Sequence, residues 1–283
     1  MAIDRLVDSF LESNPSQKKQ IISLGAGTDT RYFRTFSRFD ALEKRNWVYH
    51  EIDFPENNTR KLKSIARSSK LAGCIECPVR YFNLSDKSLV GAPSMVESIN
   101  YHIHSVDLRT LDPLTARPST FDSIDPSLPT LILSECCLCY LTPAAADTVA
   151  LYFTKHFFPS STPLGLVLYE PIRPDDAFGK TMVSNLATRG IVLQTLKKYG
   201  SLDSESARLK VYGFGESRGA DINELWKKGV DEVEKELVAR LEMVDEVEEW
   251  ELLAAHYCVA WGWRYGEQES TFGLWDRWTD IFK

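Results

Sequence analysis

The chain has 283 residues, 43% of them hydrophobic and 26% charged, with a formal net charge of −7 and a pI near 5.4. That length suits one large domain or two small ones, and the acidic balance argues against a nucleic-acid or anionic-membrane surface as the main partner. No run of 18 apolar residues occurs and the opening MAIDRLVDSFLESNPSQKKQ has no apolar signal core, so a cytoplasmic protein with no membrane span is expected.

In chain order, Ile3, Leu6, Val7 and Phe10 lie at the i, i+3, i+4, i+7 steps of an amphipathic helix over residues 3–12, ended by Asn14-Pro15-Ser16. QIISL (20–24) reads as a short apolar strand that runs into a glycine turn, LGAGTDTRYFR. WVYHEIDFP (47–55) alternates like a second strand and stops at Pro55, and NNTRKLKSIARSSKL then offers Asn and Thr caps and a basic helix. Cys74 and Cys77 form a lone C-x-x-C with no second half at zinc-finger spacing, so ordinary thiols and no metal are expected. Cys136, Cys137 and Cys139 crowd one apolar run and make a poor disulfide framework, in keeping with a reducing setting.

NYHIHSVDLR (100–109) is a third strand with Asp107 near its end, and PTLILSECCLCYL (129–141) is a buried central strand followed by a turn. Thr142-Pro143 opens a helix through AAADTVALYFTKHF, and GLVLYEP (165–171) is a fifth strand. Residues 176–200 read as helical and loop-rich. DINELWKKGVDEVEKELVARLEMVDEVEEWELLAAH (221–256) reads as an acidic amphipathic helix, broken near Val244, that covers the sheet with the stripe Trp226, Val230, Val233, Leu237, Leu241 and Val244. HYCVAWGWRY (256–265) supplies a late strand. Strand and helix alternate throughout, which predicts an α/β fold with a mainly parallel sheet, one domain over residues 1–283.

Ligands of such sheets bind beyond the carboxyl ends of the strands. Those ends carry Gly25 and Gly27, Asp53, Asp107 and Glu135. A dinucleotide fingerprint needs a third glycine where Thr30 stands, and Asp29 would repel a pyrophosphate. S-adenosyl-L-methionine carries no phosphate, and Asp53, 28 residues after Gly25, stands where a carboxylate can accept from the ribose hydroxyls. Asp107 with the Leu108 backbone suits the adenine, and Glu135 the methionine amino group. Each acid has a structural alternative: a cap for Asp53, a turn residue for Asp107, and a buried basic partner for Glu135. Tyr140 either lines the pocket or packs. His50, His102, His104, His156 and His256 are read as structural or exposed.

LGAGTDTRYFR, EIDFP with TRKLKSI, VDLR, LPTLILSECCLCYL and HYCVAW, in that order over about residues 2–265, resemble the leucine carboxyl methyltransferase family. The resemblance implies a Rossmann-like S-adenosyl-L-methionine-dependent methyltransferase fold with helices on both faces of the sheet. It implies Gly25, Asp53, Asp107, Leu108 and Glu135 as cofactor-binding residues, with no residue needed as a general base. Its implied acceptor is the C-terminal leucine carboxylate of the protein phosphatase 2A catalytic subunit, methylated in regulation of phosphatase holoenzyme assembly.

A helical lid over about residues 176–200 is expected above the acceptor tail, with Arg173 as an anchor chosen on charge alone. Asp176-Ala177-Phe178-Gly179 has alanine where the family's D-R-F-G element often has arginine, which bears on tail recognition. The family also uses an upstream lysine and arginine on the cofactor carboxylate, the arginine falling just before Met1. Without them, binding is expected to weaken by roughly 1.5–3 kcal/mol each. The rival readings are a methyltransferase acting on a small molecule or tRNA base, an NAD-dependent oxidoreductase disfavoured by Thr30, and a non-catalytic phosphatase-binding protein.

Overall fold

The computed structural model describes residues 2–39, 46–75, 96–241, 246–267 and 273–282. Among these residues eight strands form one sheet: β1 Lys19–Leu24, β2 Trp47–Asp53, β3 Val96–Glu97, β4 Tyr101–Ser105, β5 Thr130–Glu135, β6 Leu164–Pro171, β7 Glu216–Asp221 and β8 Tyr257–Arg264, in the order β3-β4-β2-β1-β5-β6-β8-β7. β4, β2, β1, β5 and β6 run parallel. β3, β8 and β7 are antiparallel to their neighbours. The chain leaves β1 for β2 and β4 on one side, then returns to β5 on the other. The strand order therefore reverses at β1 and β5, where a crevice opens beyond the strand ends.

Alternation along each strand builds two cores. On one face Ile21, Leu131, Leu133, Val167 and Trp261 pack with α1 (Ala2–Glu12), α2 (Arg31–Phe36), α3 (Pro55–Arg67) and the C-terminal Trp275 and Trp278. On the other, Ile22, Ile132, Leu166 and Leu168 pack with α5 (Pro143–Leu151) and α7 (Leu202–Val211). The α1 stripe of Ile3, Leu6, Val7 and Phe10 is buried as its spacing predicts.

Several local expectations change. α3 starts on Pro55 after Phe54, with no side-chain cap, so the fixed proline φ replaces the expected Asn or Thr cap. Ser68 instead caps the short α4 (Ser69–Ala72). Among its described residues the acidic stretch carries α8 (Ile222–Gly229), α9 (Glu232–Leu241) and α10 (Val247–Ala255), so it is interrupted after Gly229 as well as in the region of the expected break. α9 buries none of its residues, and Val233, Leu237 and Leu241 are exposed. Val244 and Cys77 lie outside the described residues. Cys74 follows α4, its thiol donating to the Lys70 carbonyl at 3.3 Å. Residues 176–200 carry α6 (Ala177–Thr188) followed by turns. Asp176 caps α6 by accepting from the Gly179 amide at 2.7 Å. A Cβ on Gly179 would run into the Arg173 carbonyl oxygen, which accounts for D-x-x-G here.

Candidate functional site

The glycine turn is fixed from the neighbouring strand. Gly25 and Gly27 adopt φ of +62° and +49°, open to glycine at little cost. The Gly25 amide donates to the Ile52 carbonyl at 2.8 Å, and the Gly27 amide to Asp53 Oδ2 at 2.7 Å. Cys137 closes over the turn so tightly that a Cβ on Gly25 would lie 2.6 Å from its sulfur.

Beside this turn is a hollow of about 200 Å³ that collects Gly25, Asp53, Asp107, Leu108 and Tyr140 from four separate chain segments. Asp53 is buried; its Oδ1 also accepts from the Phe54 amide at 2.7 Å and Asn57 Nδ2 at 2.8 Å. Three donors leave roughly one of a carboxylate's four acceptor positions open. Asp107 caps the 3₁₀ turn Leu108–Thr110 through the Arg109 amide at 2.9 Å. The Arg109 guanidinium reaches both its oxygens, and this hydrogen bonding holds the carboxyl below its ordinary pKa despite some burial. Leu108 is buried, whereas Tyr140 stands 44% exposed on the rim, so lining rather than packing describes it. Burial, with the nearby Cys139 and Cys136 thiols, pushes the Tyr140 phenol up to about 12.

Glu135 is not in that hollow. It lines a second one of about 290 Å³ together with Arg31, Ile3, Tyr169, Leu225 and Trp226. The cause is alternation along β5: Glu135 shares the face of Leu131 and Leu133, which pack in the core with α1 and α2, and so turns to that side. Its buried basic partner, a possibility the sequence raised, is Arg31. Arg31 Nη2 donates to Glu135 Oε2 at 3.3 Å and Nη1 to Oε1, while Nε reaches Asp4 and Nη1 also reaches Asp29, both at 2.9 Å. Burial lowers the pKa of Arg31, but Tyr49, Glu135 and Asp29 outweigh it and the net shift is upward. Sequence reasoning missed Arg31 because RYFR reads as an ordinary helix start. Asn57, the side chain beside Asp53, was also missed.

Arg173 lines neither hollow. Its guanidinium meets Asp221 at 2.8 Å and its backbone has φ +58°. His50, His102 and His104 form a stacked file on β2 and β4, with His50 Nδ1 3.0 Å from His104 Nε2. His256 is buried and meets Asp176 at 2.9 Å, while His156 is exposed. No helix among the described residues is long and apolar enough to cross a membrane, and no cluster of metal-ligating side chains occurs among them.

A profile of the leucine carboxyl methyltransferase family matches residues 1–153. The chain is 49% identical to leucine carboxyl methyltransferase 1 of Aspergillus fumigatus over 99% of its own length and 74% of that protein's. The chain belongs to this family. It is also 52% identical to the enzyme of the same name in Emericella nidulans, over 95% of this chain and 73% of that one. It is 35% identical to the Arabidopsis thaliana homolog, over 92% and 73%. An O-methyltransferase family protein from Burkholderia thailandensis shares the fold, with a TM-score of 0.50 at 12% identity over 94% of this chain and 57% of that one. The methyltransferase fold and the α/β architecture expected from the sequence are thus present. The methyl donor of this family is S-adenosyl-L-methionine.

The residues at hand suit that donor. The acceptor capacity left on Asp53 matches a ribose hydroxyl. The first hollow is lined by Val106, Leu108 and Leu141 beside its polar groups, a lining that fits an adenine face.

Proposed function

We propose that the chain esterifies the α-carboxylate of a C-terminal leucine, that of the protein phosphatase 2A catalytic subunit. The observation that carries the reading is the meeting of Gly25, Asp53, Asp107 and Leu108 in one hollow at the sheet's reversal point, in a chain of this family. In this reading Asp53 orients the ribose, Asp107 and Leu108 frame the adenine, and Glu135 meets the methionine ammonium from the second hollow. When bound, the donor supplies an electrophilic methyl group.

A peptide α-carboxyl has a pKa of about 3.3–3.7 and is ionised at neutral pH, so no side chain has to remove a proton. The protein's task is alignment, which supplies about 7–11 kcal/mol where two reactants are held in attack geometry. α6 and Tyr140 serve to shield the acceptor from water, a lid role motivated by their place after β6 and β5. Arg173, engaged by Asp221, is left out of the acceptor site.

The test compares two peptides of the phosphatase tail sequence, one ending in a free leucine carboxylate and one in its amide. The free acid is expected to gain one methyl group in a base-labile linkage, and the amide none. Equal methylation of both, or transfer only to a small molecule or to tRNA by a chain that binds the donor, would refute the assignment. An acidic chain with net charge −7 makes the tRNA outcome the least expected.

A further inference from the structure

Arg31 is the first residue of α2, yet its side chain is only 6% exposed. It joins three elements: Asp4 of α1, Asp29 of the glycine turn, and Glu135 at the end of β5. Asp29 is itself locked, since its Oδ1 accepts the Arg31 backbone amide at 2.9 Å. Arg34 braces Asp4 from outside at 3.1 Å. The guanidinium is thereby anchored on two sides, and its Nη1 and Nη2 present a fork to the two oxygens of Glu135.

A glutamate at a strand end has free side-chain rotamers unless something fixes its plane. A forked contact from arginine does that, because both partners are planar and match in spacing. The Glu135 side chain remains 32% exposed and lines the 290 Å³ hollow, and two of its roughly four acceptor positions are unused by the fork. A held carboxylate with two open positions suits an ammonium group.

We propose that Arg31 is a positioning residue for the amino-acid end of the methyl donor: it fixes Glu135 in the orientation that receives the α-ammonium. The inference rests on the donor-site reading above and adds to it a residue that acts through Glu135. Lysine replaces it only in part, because an ammonium keeps the charge but lacks the fork.

The experiment uses the full chain and two ligands in calorimetric titration. S-adenosylhomocysteine carries the amino-acid end; 5′-methylthioadenosine has the same adenosine and sulfur without it. Arg31→Met is expected to weaken S-adenosylhomocysteine on the order of tenfold or more while leaving methylthioadenosine within about twofold. Arg31→Lys is expected to show the same selective loss, smaller in size, and carries the test should the Met variant fail to fold. In a double-mutant cycle, Arg31→Met should add little to the loss already caused by Glu135→Gln. Equal losses for both ligands, no loss for either, or full additivity with Glu135→Gln would overturn the proposal. If the unmodified chain bound neither ligand, the donor-site reading itself would fall, and Arg31 with it.

Discussion

Gly25→Ala tests how the turn is built. Two costs follow from its geometry. The residue sits at φ +62°, where a Cβ costs roughly 1–2 kcal/mol. The added methyl would also lie 2.6 Å from the Cys137 sulfur and 3.0 Å from its Cβ, an overpacking that costs about 1–3 kcal/mol. Together these make about 2–5 kcal/mol against a domain stability of roughly 5–15 kcal/mol. At about 2 °C per kcal/mol for a chain of this size, the melting temperature should fall by about 4–10 °C. Gly27→Ala is the control: it has φ +49° but nothing nearer than 3.9 Å to the new atom, so only the backbone cost of about 1–2 kcal/mol applies. Cys137→Ala removes the sulfur, and the Gly25→Ala/Cys137→Ala pair should be more stable than Gly25→Ala alone. Calorimetry of the four variants beside the parent reads the result. If Gly25→Ala melted like the parent, or if removing the sulfur made it worse, the account of this turn would be wrong.

Two further outcomes are expected. His102, whose pKa burial lowers to about 4, stays neutral in the fold while the unfolded chain takes up a proton near 6.5. Its contribution is therefore complete above pH 6.5 and lost as pH falls toward 4, by about 2 kcal/mol at pH 5. Urea denaturation should show His102→Phe losing less stability than the parent between pH 7.5 and 5; parallel pH profiles would sink this. The comparison between variants matters, since burial raises Glu51 and Glu205 to about 7 and Glu170 to about 8, and these act with the opposite sign. Arg208 is fully buried, 3.3 Å from Glu205 and 3.9 Å from Glu170, and donates to the Tyr212 hydroxyl at 2.6 Å. Arg208→Met should cost about 3–5 kcal/mol, because it leaves two buried carboxylates without their cation. The deficit should be larger at pH 8.5 than at pH 6, where both glutamates accept protons; the same small deficit at both would contradict it.

What was legible in the sequence was whatever repeats at the period of its element. QIISL, WVYHEID and TLILSE are apolar or alternating, lie inside the sheet, and end on the residues expected there. β7 escaped notice because ESRGAD, at the sheet edge, buries only its last two residues and shows no apolar alternation. Trp275 and Trp278 are fully buried yet stand just before and within a single 3₁₀ turn, Asp276–Thr279, too short to show a period. The stripe on α9 misled in the other direction: its spacing is helical, the segment is a helix, and the face is exposed. Periodicity reports which residues share a face and not what covers that face. Arg31 was invisible for a related reason. Its partners Asp4 and Glu135 are 27 and 104 residues away, so nothing local marks it as buried.

A carboxylate that caps a turn and a carboxylate that holds a ligand look like rival readings of Asp53 and Asp107, but under the proposed function the first serves the second. An unsupported carboxylate beyond a strand end rotates freely and presents no fixed acceptor direction. When Gly27, Phe54 and Asn57 each donate to Asp53, the plane of the carboxylate is set and its unused acceptor position points along one line. Asp107 is set in the same way by the Arg109 amide and guanidinium. Glu135 has no backbone donor in the turn that follows it, because Cys136 takes φ +46° and its amide bonds to the Tyr169 carbonyl. For that carboxylate the fixing is done by a side chain brought from 104 residues earlier. Under the proposed function the three acids meet one physical requirement, orientation before binding, by local hydrogen bonds in two cases and by a long-range ion pair in the third.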